Sequence, residues 1–97
     1  MGVTEKLMRY ISIKTPCNEK ADSVPTSTCQ FNLAEILVEE LKELGMDQVV
    51  LDEHCFVYGI LRASEGYEDC KKLGFIAHMD RVSESCEEEI VPVVTKQ

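Results

Sequence analysis

Apolar residues recur at helical spacing in two segments of the N-terminal half of the chain. In the first, Leu7 and Ile11 lie one turn apart, and residues 4–13 are predicted to form a short helix. Pro16 ends this segment, because the residue before a proline is driven away from helical geometry. The polar residues 17–25 that follow are predicted to form a surface loop.

The second periodic segment, over residues 27–44, is the clearest helix in the sequence. Ser27 and Gln30 have the spacing of a capping box at its start. Gly45 is placed to adopt the left-handed conformation that ends many helices. The apolar stripe of this helix is predicted to pack on a sheet, although an interaction helix would have a similar pattern. The stripe consists of Leu33, Ala34, Leu37, Val38, Leu41 and Leu44.

Short apolar runs after the second helix predict three strands. Residues 48–51 and 56–61 flank a polar turn and predict a hairpin, with His54 as a solvated turn residue that has no functional role. After a polar connection, the apolar run 73–77 predicts a strand that is buried on both faces. This order of elements predicts an α/β fold and the start of a mixed-sheet domain, since the sheet would need further strands.

Candidate chemistry lies at the end of the predicted buried strand, where His78 and Asp80 follow the apolar run. Open α/β sheets place their ligand sites at the C-terminal ends of strands. If the strand continues through Met79, the two side chains share one face, because side chains alternate along a strand. A neutral imidazole with a carboxylate beside it is suited to binding a metal ion. The spacing alone fits a structural histidine as well.

Charge and cysteine content limit the partners of the protein. The formal net charge of −8, with no run of Lys or Arg, disfavours nucleic acid and anionic membranes. No segment is apolar enough to cross a bilayer, and no signal region follows Met1. The five cysteines are odd in number and lack the C-x-x-C spacing of zinc or redox motifs. Without a signal peptide, reduced thiols in a cytoplasm are expected. A zinc site is disfavoured by irregular spacing for the set His54, Cys55, Cys70 and Cys86.

Three stretches of the chain carry motifs that occur together in one enzyme family. Residues 24–30 (VPTSTCQ) are a proline-containing entry to a helix, and residues 41–45 (LKELG) are a leucine–glycine exit. Residues 74–80 (GFIAHMD) are a strand that ends in a His-x-Asp motif. Together they resemble the N-terminal portion of the peptidase T family, the tripeptide aminopeptidases among the co-catalytic zinc exopeptidases. The resemblance covers nearly all of the chain, whereas His-x-Asp alone is shared by many metallopeptidases.

The resemblance implies that residues 1–97 are the N-terminal part of a catalytic domain that holds two zinc ions. By position, His78 would bind one zinc ion, and Asp80 would be the catalytic carboxylate that orients the site. The complete enzyme would release the N-terminal residue of short peptides. The family's other ligands and its general base would lie later in the chain. The 97 residues alone are therefore expected to be inactive and to bind zinc weakly or not at all.

One position departs from the family pattern. Arg81 stands where the family more often has a small hydroxyl residue, which puts the neighbouring substrate groove in doubt. Two other functions also fit the residues. A related zinc carboxypeptidase or N-acyl amino acid deacylase would share the His-x-Asp motif, and a non-catalytic interaction module would use His78 and Asp80 structurally.

An incomplete sheet is also expected to associate with itself. Strand edges and apolar faces that further strands and helices would cover are left exposed in a partial sheet, and such surfaces pair with other chains. The segments expected to take part are residues 73–77 and the β-branched tail 90–94.

Overall fold

A computed structural model describes residues 2–15, 20, 22–81 and 92–96 of the chain. Two helices are followed by an antiparallel hairpin, which bears out the α/β character and the predicted order of these elements. In chain order they are helix α1 Val3–Ile11, helix α2 Gln30–Glu43, strand β1 Asp47–Leu51 and strand β2 Val57–Ile60. No helix in these ranges is long and apolar enough to cross a membrane.

Helix α1 ends earlier than the predicted residue 13. Its C-cap is Ser12, whose hydroxyl donates a hydrogen bond back to the carbonyl of Arg9 at 2.6 Å. Ser12 therefore satisfies one of the carbonyls that the end of a helix leaves without an intrahelical partner. Leu7 is exposed, and Ile11 at the end of the helix is only half-buried, so the predicted apolar stripe packs weakly.

Helix α2 is confirmed, but the predicted capping box at its start is wrong. The N-cap is Cys29, which makes no side-chain cap bond, and the hydroxyl of Ser27 lies 2.8 Å from the Cys29 sulfur instead. Three successive carbonyls, those of residues 27–29, accept hydrogen bonds from the amides three residues later. These turn-like bonds occupy the first amides of the helix, so the Ser27 hydroxyl has no amide left to cap.

The end of α2 follows the prediction closely. Gly45 has φ +84°, and its amide donates to the carbonyl of Lys42 at 3.0 Å. The amide of Met46 reaches back to Leu41 at 3.1 Å. These two bonds around a left-handed glycine form a Schellman motif, which turns the chain directly from the helix into β1.

The hairpin forms a two-stranded antiparallel sheet, with Val50 opposite Tyr58 and Leu51 opposite Val57. Its turn is built on Asp52, whose carboxylate accepts hydrogen bonds from the amides of His54 and Phe56, each at 2.9 Å. His54 is exposed there, as predicted. Cys55 lies beneath the turn with only 2% of its surface exposed. Burial, reinforced by the nearby Asp52, raises the pKa of the Cys55 thiol.

Helix α2 packs on one face of the hairpin and forms a small core. Leu33 and Ala34 are buried, and Leu41 reaches the strand β2 at Gly59, where a side chain would meet Met46 and Leu41. The opposite face of the hairpin exposes apolar side chains. They are Val50, Phe56, Tyr58 and Ile60, and the rings of Phe56 and Tyr58 pack edge to face with centroids 6.4 Å apart.

The predicted buried strand over residues 73–77 is wrong. This segment has no regular secondary structure, and Leu73, Phe75 and Ile76 are 80%, 89% and 102% exposed. A strand buried on both faces requires paired neighbours and a packed layer on each side. The apolar run predicts that such partners are needed, but the described part of the chain supplies none of them. Residues 92–96 are likewise exposed and irregular, whereas residues 90 and 91 lie outside the described ranges.

Candidate metal centre

The segment around His78 is attached to the segment just after helix α1 by backbone and hydroxyl contacts. Thr15, which is 2% exposed, donates from its hydroxyl to the carbonyl of Met79 at 2.8 Å. The Thr15 carbonyl accepts from the amide of Arg81 at 2.7 Å. The residues on either side of Asp80 are therefore both held on Thr15.

The structure brings His78 and Asp80 together. The Nδ1 atom of His78 lies 2.8 Å from the backbone carbonyl of Asp80 and 3.1 Å from its carboxylate Oδ1. A carbonyl oxygen can only accept a hydrogen bond, so Nδ1 must carry the proton in this arrangement. The neutral ring then presents the lone pair of Nε2, which is the atom able to bind a metal ion. The pairing was predicted from a shared strand face, but here it arises in an irregular segment.

An apolar cavity of about 260 Å³ lies beside His78, between the two helices and the 77–81 segment. The His78 side chain is 85% exposed, so the ring stands between solvent and the edge of this cavity. The cavity is lined by Tyr10, Ile11, Thr15, Leu33, Leu37, Ala77, His78, Met79 and Arg81. Helix α1 contributes Tyr10 and Ile11, so the packing of α1 shapes the surroundings of the imidazole.

Helix α1 is held against α2 by a polar cluster that the sequence pattern did not indicate. Glu40 is buried on α2 and accepts hydrogen bonds from the Tyr10 hydroxyl and from Arg9 Nη1, the latter at 3.2 Å. Burial is the main reason that the pKa of Tyr10 rises to about 12, and the bond to Glu40 adds to it. The position of Glu40 beside the apolar stripe could have been noticed from the spacing of the sequence. Its partners Tyr10 and Arg9 could not have been predicted in this way.

His78 and Asp80 fit one ligand position and its orienting carboxylate, but not a complete zinc site. Within residues 2–15, 20, 22–81 and 92–96, no three His, Cys, Asp or Glu side chains are grouped so that they could hold a metal ion. A catalytic zinc ion takes about three protein ligands. Of the cysteine set considered above, the described members His54, Cys55 and Cys70 form no such group, and Cys86 lies outside the described ranges.

Comparison with known proteins finds similarity to proteins named peptidase T. The chain is 39% identical over 92 residues to a peptidase T of Aliivibrio fischeri and 34% identical over 92 residues to one of Alkaliphilus oremlandii. A peptidase T of a Geobacillus species is 32% identical over 94 residues. No family model matches the chain.

These matches confirm the resemblance to peptidase T that the motifs predicted. They cover 95%, 94% and 97% of this chain, so each necessarily includes the His78–Asp80 segment. The chain spans only about 22% of the length of these relatives. The likeness therefore concerns one portion of a peptidase T-like protein.

Proposed function

We propose that this chain is the portion of a peptidase T-like aminopeptidase that supplies the His-x-Asp element of the active site. The complete enzyme releases the N-terminal residue from tripeptides and other short peptides in the cytoplasm. The observation that carries the proposal is the contact of His78 Nδ1 with Asp80, which leaves Nε2 to face a ligand. The similarity to proteins named peptidase T across this segment supports it.

In this proposal the two residues have separate roles. His78 binds one of two zinc ions through Nε2, and Asp80 holds the imidazole in the correct tautomer and raises its basicity. A zinc ion held there would supply Lewis-acid chemistry, the activation of water and the polarisation of the scissile carbonyl. The remaining ligands and the general base belong to other parts of the complete enzyme. The 97-residue chain by itself is then inactive.

The test uses the complete reading frame that contains this chain. His78→Ala is expected to lower hydrolysis of a tripeptide at least about 100-fold, because loss of a ligand exceeds the effect of losing its orienting partner. His54→Ala is the matched control, since His54 is the other histidine of the chain and lies at the exposed hairpin turn. Full activity of the His78 variant would refute the assignment and favour a non-catalytic module.

Assays with two alternative substrates distinguish an aminopeptidase from the related hydrolases. A tripeptide with a free N-terminus should be cleaved at its first bond, and the same peptide with an acetylated N-terminus should not be. Loss of the acyl group would identify a deacylase, and release of the C-terminal residue would identify a carboxypeptidase.

A zinc titration of the 97-residue chain should show no tight stoichiometric site, and finding one would contradict the proposed division of ligands.

A further inference from the structure

The Arg81 side chain reaches back to the last residue of helix α1 and to the segment just after it. Its guanidinium donates from Nη2 to the carbonyl of Ile13 at 3.1 Å and from Nη1 to the carbonyl of Ile11 at 3.4 Å. Carbonyls at the end of a helix lack intrahelical partners and carry the negative end of the helix dipole. Ile11 is the last residue of α1, whereas Ile13 lies two residues beyond it, and a planar, permanently charged guanidinium can engage both carbonyls at once. The Arg81 side chain therefore connects the His-x-Asp segment to the end of α1.

Asp80 is held from both sides by this connection. Before it, the Met79 carbonyl accepts from the buried Thr15 hydroxyl, and after it, Arg81 is bound through both its amide and its side chain. Both hydrogen bonds of the His78 ring in the described ranges run to Asp80. Because the ring is largely exposed and its own packing does not orient it, its orientation depends on where Asp80 is placed.

We propose that Arg81 is a positioning residue, which acts through Asp80 to keep the neutral His78 ring in the Nδ1–H tautomer with Nε2 directed at a metal ion. The inference rests on the proposed function for the identity of that ligand. The residue that departs from the family pattern therefore has a local structural reason here, since its side chain binds the carbonyls of Ile11 and Ile13.

The experiment measures the tautomer in the metal-free chain. Long-range nitrogen–proton NMR spectra of the imidazole distinguish Nδ1–H from Nε2–H, and they are recorded near pH 8.5, above the ordinary histidine pKa of about 6.5. The wild-type His78 should be mainly the Nδ1–H form, opposite to the preference of a free imidazole. The exposed His54 gives an internal reference in the same spectrum.

Arg81→Met keeps an apolar stem but removes the guanidinium. The ratio of Nδ1–H to Nε2–H at His78 should fall by between about 2-fold and 10-fold, the equilibrium equivalent of one net hydrogen bond. Arg81→Lys should restore part of the ratio, because an ammonium keeps the charge but not the two-pronged geometry. Arg62→Met is the charge-matched control, since Arg62 pairs with Asp47 on the hairpin, and it should leave the ratio unchanged.

A second variant decides the case if Arg81→Met fails to fold. Thr15→Val preserves the shape of a buried side chain while removing the bond to the Met79 carbonyl, so it should shift the tautomer in the same direction. The inference is overturned if wild-type His78 is mainly Nε2–H, or if a folded Arg81→Met variant keeps the wild-type ratio. If Arg81→Met does not fold, an unchanged ratio in Thr15→Val overturns it. It is also overturned if Arg62→Met shifts the ratio equally.

The two proposals can fail separately. If the complete enzyme hydrolyses no peptide, the proposed function fails, while the tautomer of the metal-free chain still decides the role of Arg81. If hydrolysis depends on His78 but the tautomer does not depend on Arg81 or Thr15, the positioning role alone is wrong.

Discussion

Glu40 is a buried carboxylate with both of its hydrogen-bond donors on another helix. It accepts from Tyr10 and Arg9 of α1, and the ion pair with Arg9 spans 3.2 Å. A carboxylate removed from water must be paired, since its charge would otherwise be strongly disfavoured. The cluster therefore specifies how α1 docks on α2, and through Tyr10 it also shapes the cavity beside His78.

Tyr10→Phe is expected to destabilise the fold by about 1 kcal/mol, because Glu40 loses one of its donors. Denaturant unfolding at neutral pH measures this difference. Tyr67→Phe, which removes the hydroxyl of an exposed tyrosine, is the matched control and should have little effect.

The same hydroxyl makes stability depend on alkaline pH. The pKa of Tyr10 is about 12 in the folded chain and 10.0 ordinarily, so the folded state binds the phenol proton more tightly. Its contribution is fully present below pH 10 and is lost as the pH rises to about 12. The stability of wild type and Tyr10→Phe should therefore converge over this interval. A constant difference between them up to pH 12 would contradict the assignment.

At the scale of secondary-structure elements, the sequence predicted the structure best where a backbone conformation requires one particular residue type. Gly45 is such a case, because its φ of +84° is disfavoured for any residue with a Cβ atom. The start of α2 is the opposite case, where a Ser–Gln spacing suggested a cap but turn-like backbone bonds had already satisfied the amides. A motif that competes with backbone bonding is therefore a weaker predictor than a residue that a backbone conformation requires.

Gly45→Ala is expected to lower the unfolding free energy by roughly 1 kcal/mol, because alanine is strained in the left-handed region. Gly74→Ala is the control, since no atom lies within 4 Å of an added Cβ there and its φ is not left-handed. Thermal or chemical unfolding of both variants provides the comparison. Equal stability of the two variants would show that the Schellman motif contributes nothing measurable.

At the scale of the whole molecule, much apolar surface remains exposed. The segment 73–77 and the outer face of the hairpin together expose Leu73, Phe75, Ile76, Val50, Tyr58 and Ile60. Exposed apolar residues that are grouped in this way, consecutive in one segment and neighbours on one sheet face, favour association, whereas single exposed residues do not. The self-association expected from the sequence stays a prediction, and residues 73–77 are the segment most exposed for it.

We predict that the 97-residue chain forms species heavier than 11.0 kDa as its concentration rises. Phe75→Asp should reduce this association, because it places a charge in the middle of the exposed run. Val3→Asp adds the same charge at an exposed apolar residue of α1 and should not reduce it. Light scattering coupled to size exclusion measures the masses. A single 11.0 kDa species at all concentrations would count against the prediction.

The sequence by itself determined the features that depend on neighbouring residues. Helical periodicity located α2, the left-handed requirement located Gly45, and the polar turn between two β-rich runs located the hairpin. The spacing of His78 and Asp80 placed a histidine and a carboxylate close together in sequence, and the two side chains do meet, although in an irregular segment and not on the predicted strand. The resemblance to peptidase T was also readable from short motifs.

Tertiary structure alone decided what depends on residues far apart in the chain. The burial of Glu40 depends on donors from α1, and the contacts of Arg81 and Thr15 join segments more than 60 positions apart. The run 73–77 has the composition of a buried strand, yet burial depends on pairing partners that its own residues do not encode. Local sequence patterns indicate whether a segment requires burial or a hydrogen-bond partner. Only the three-dimensional arrangement decides whether the burial or the partner is supplied.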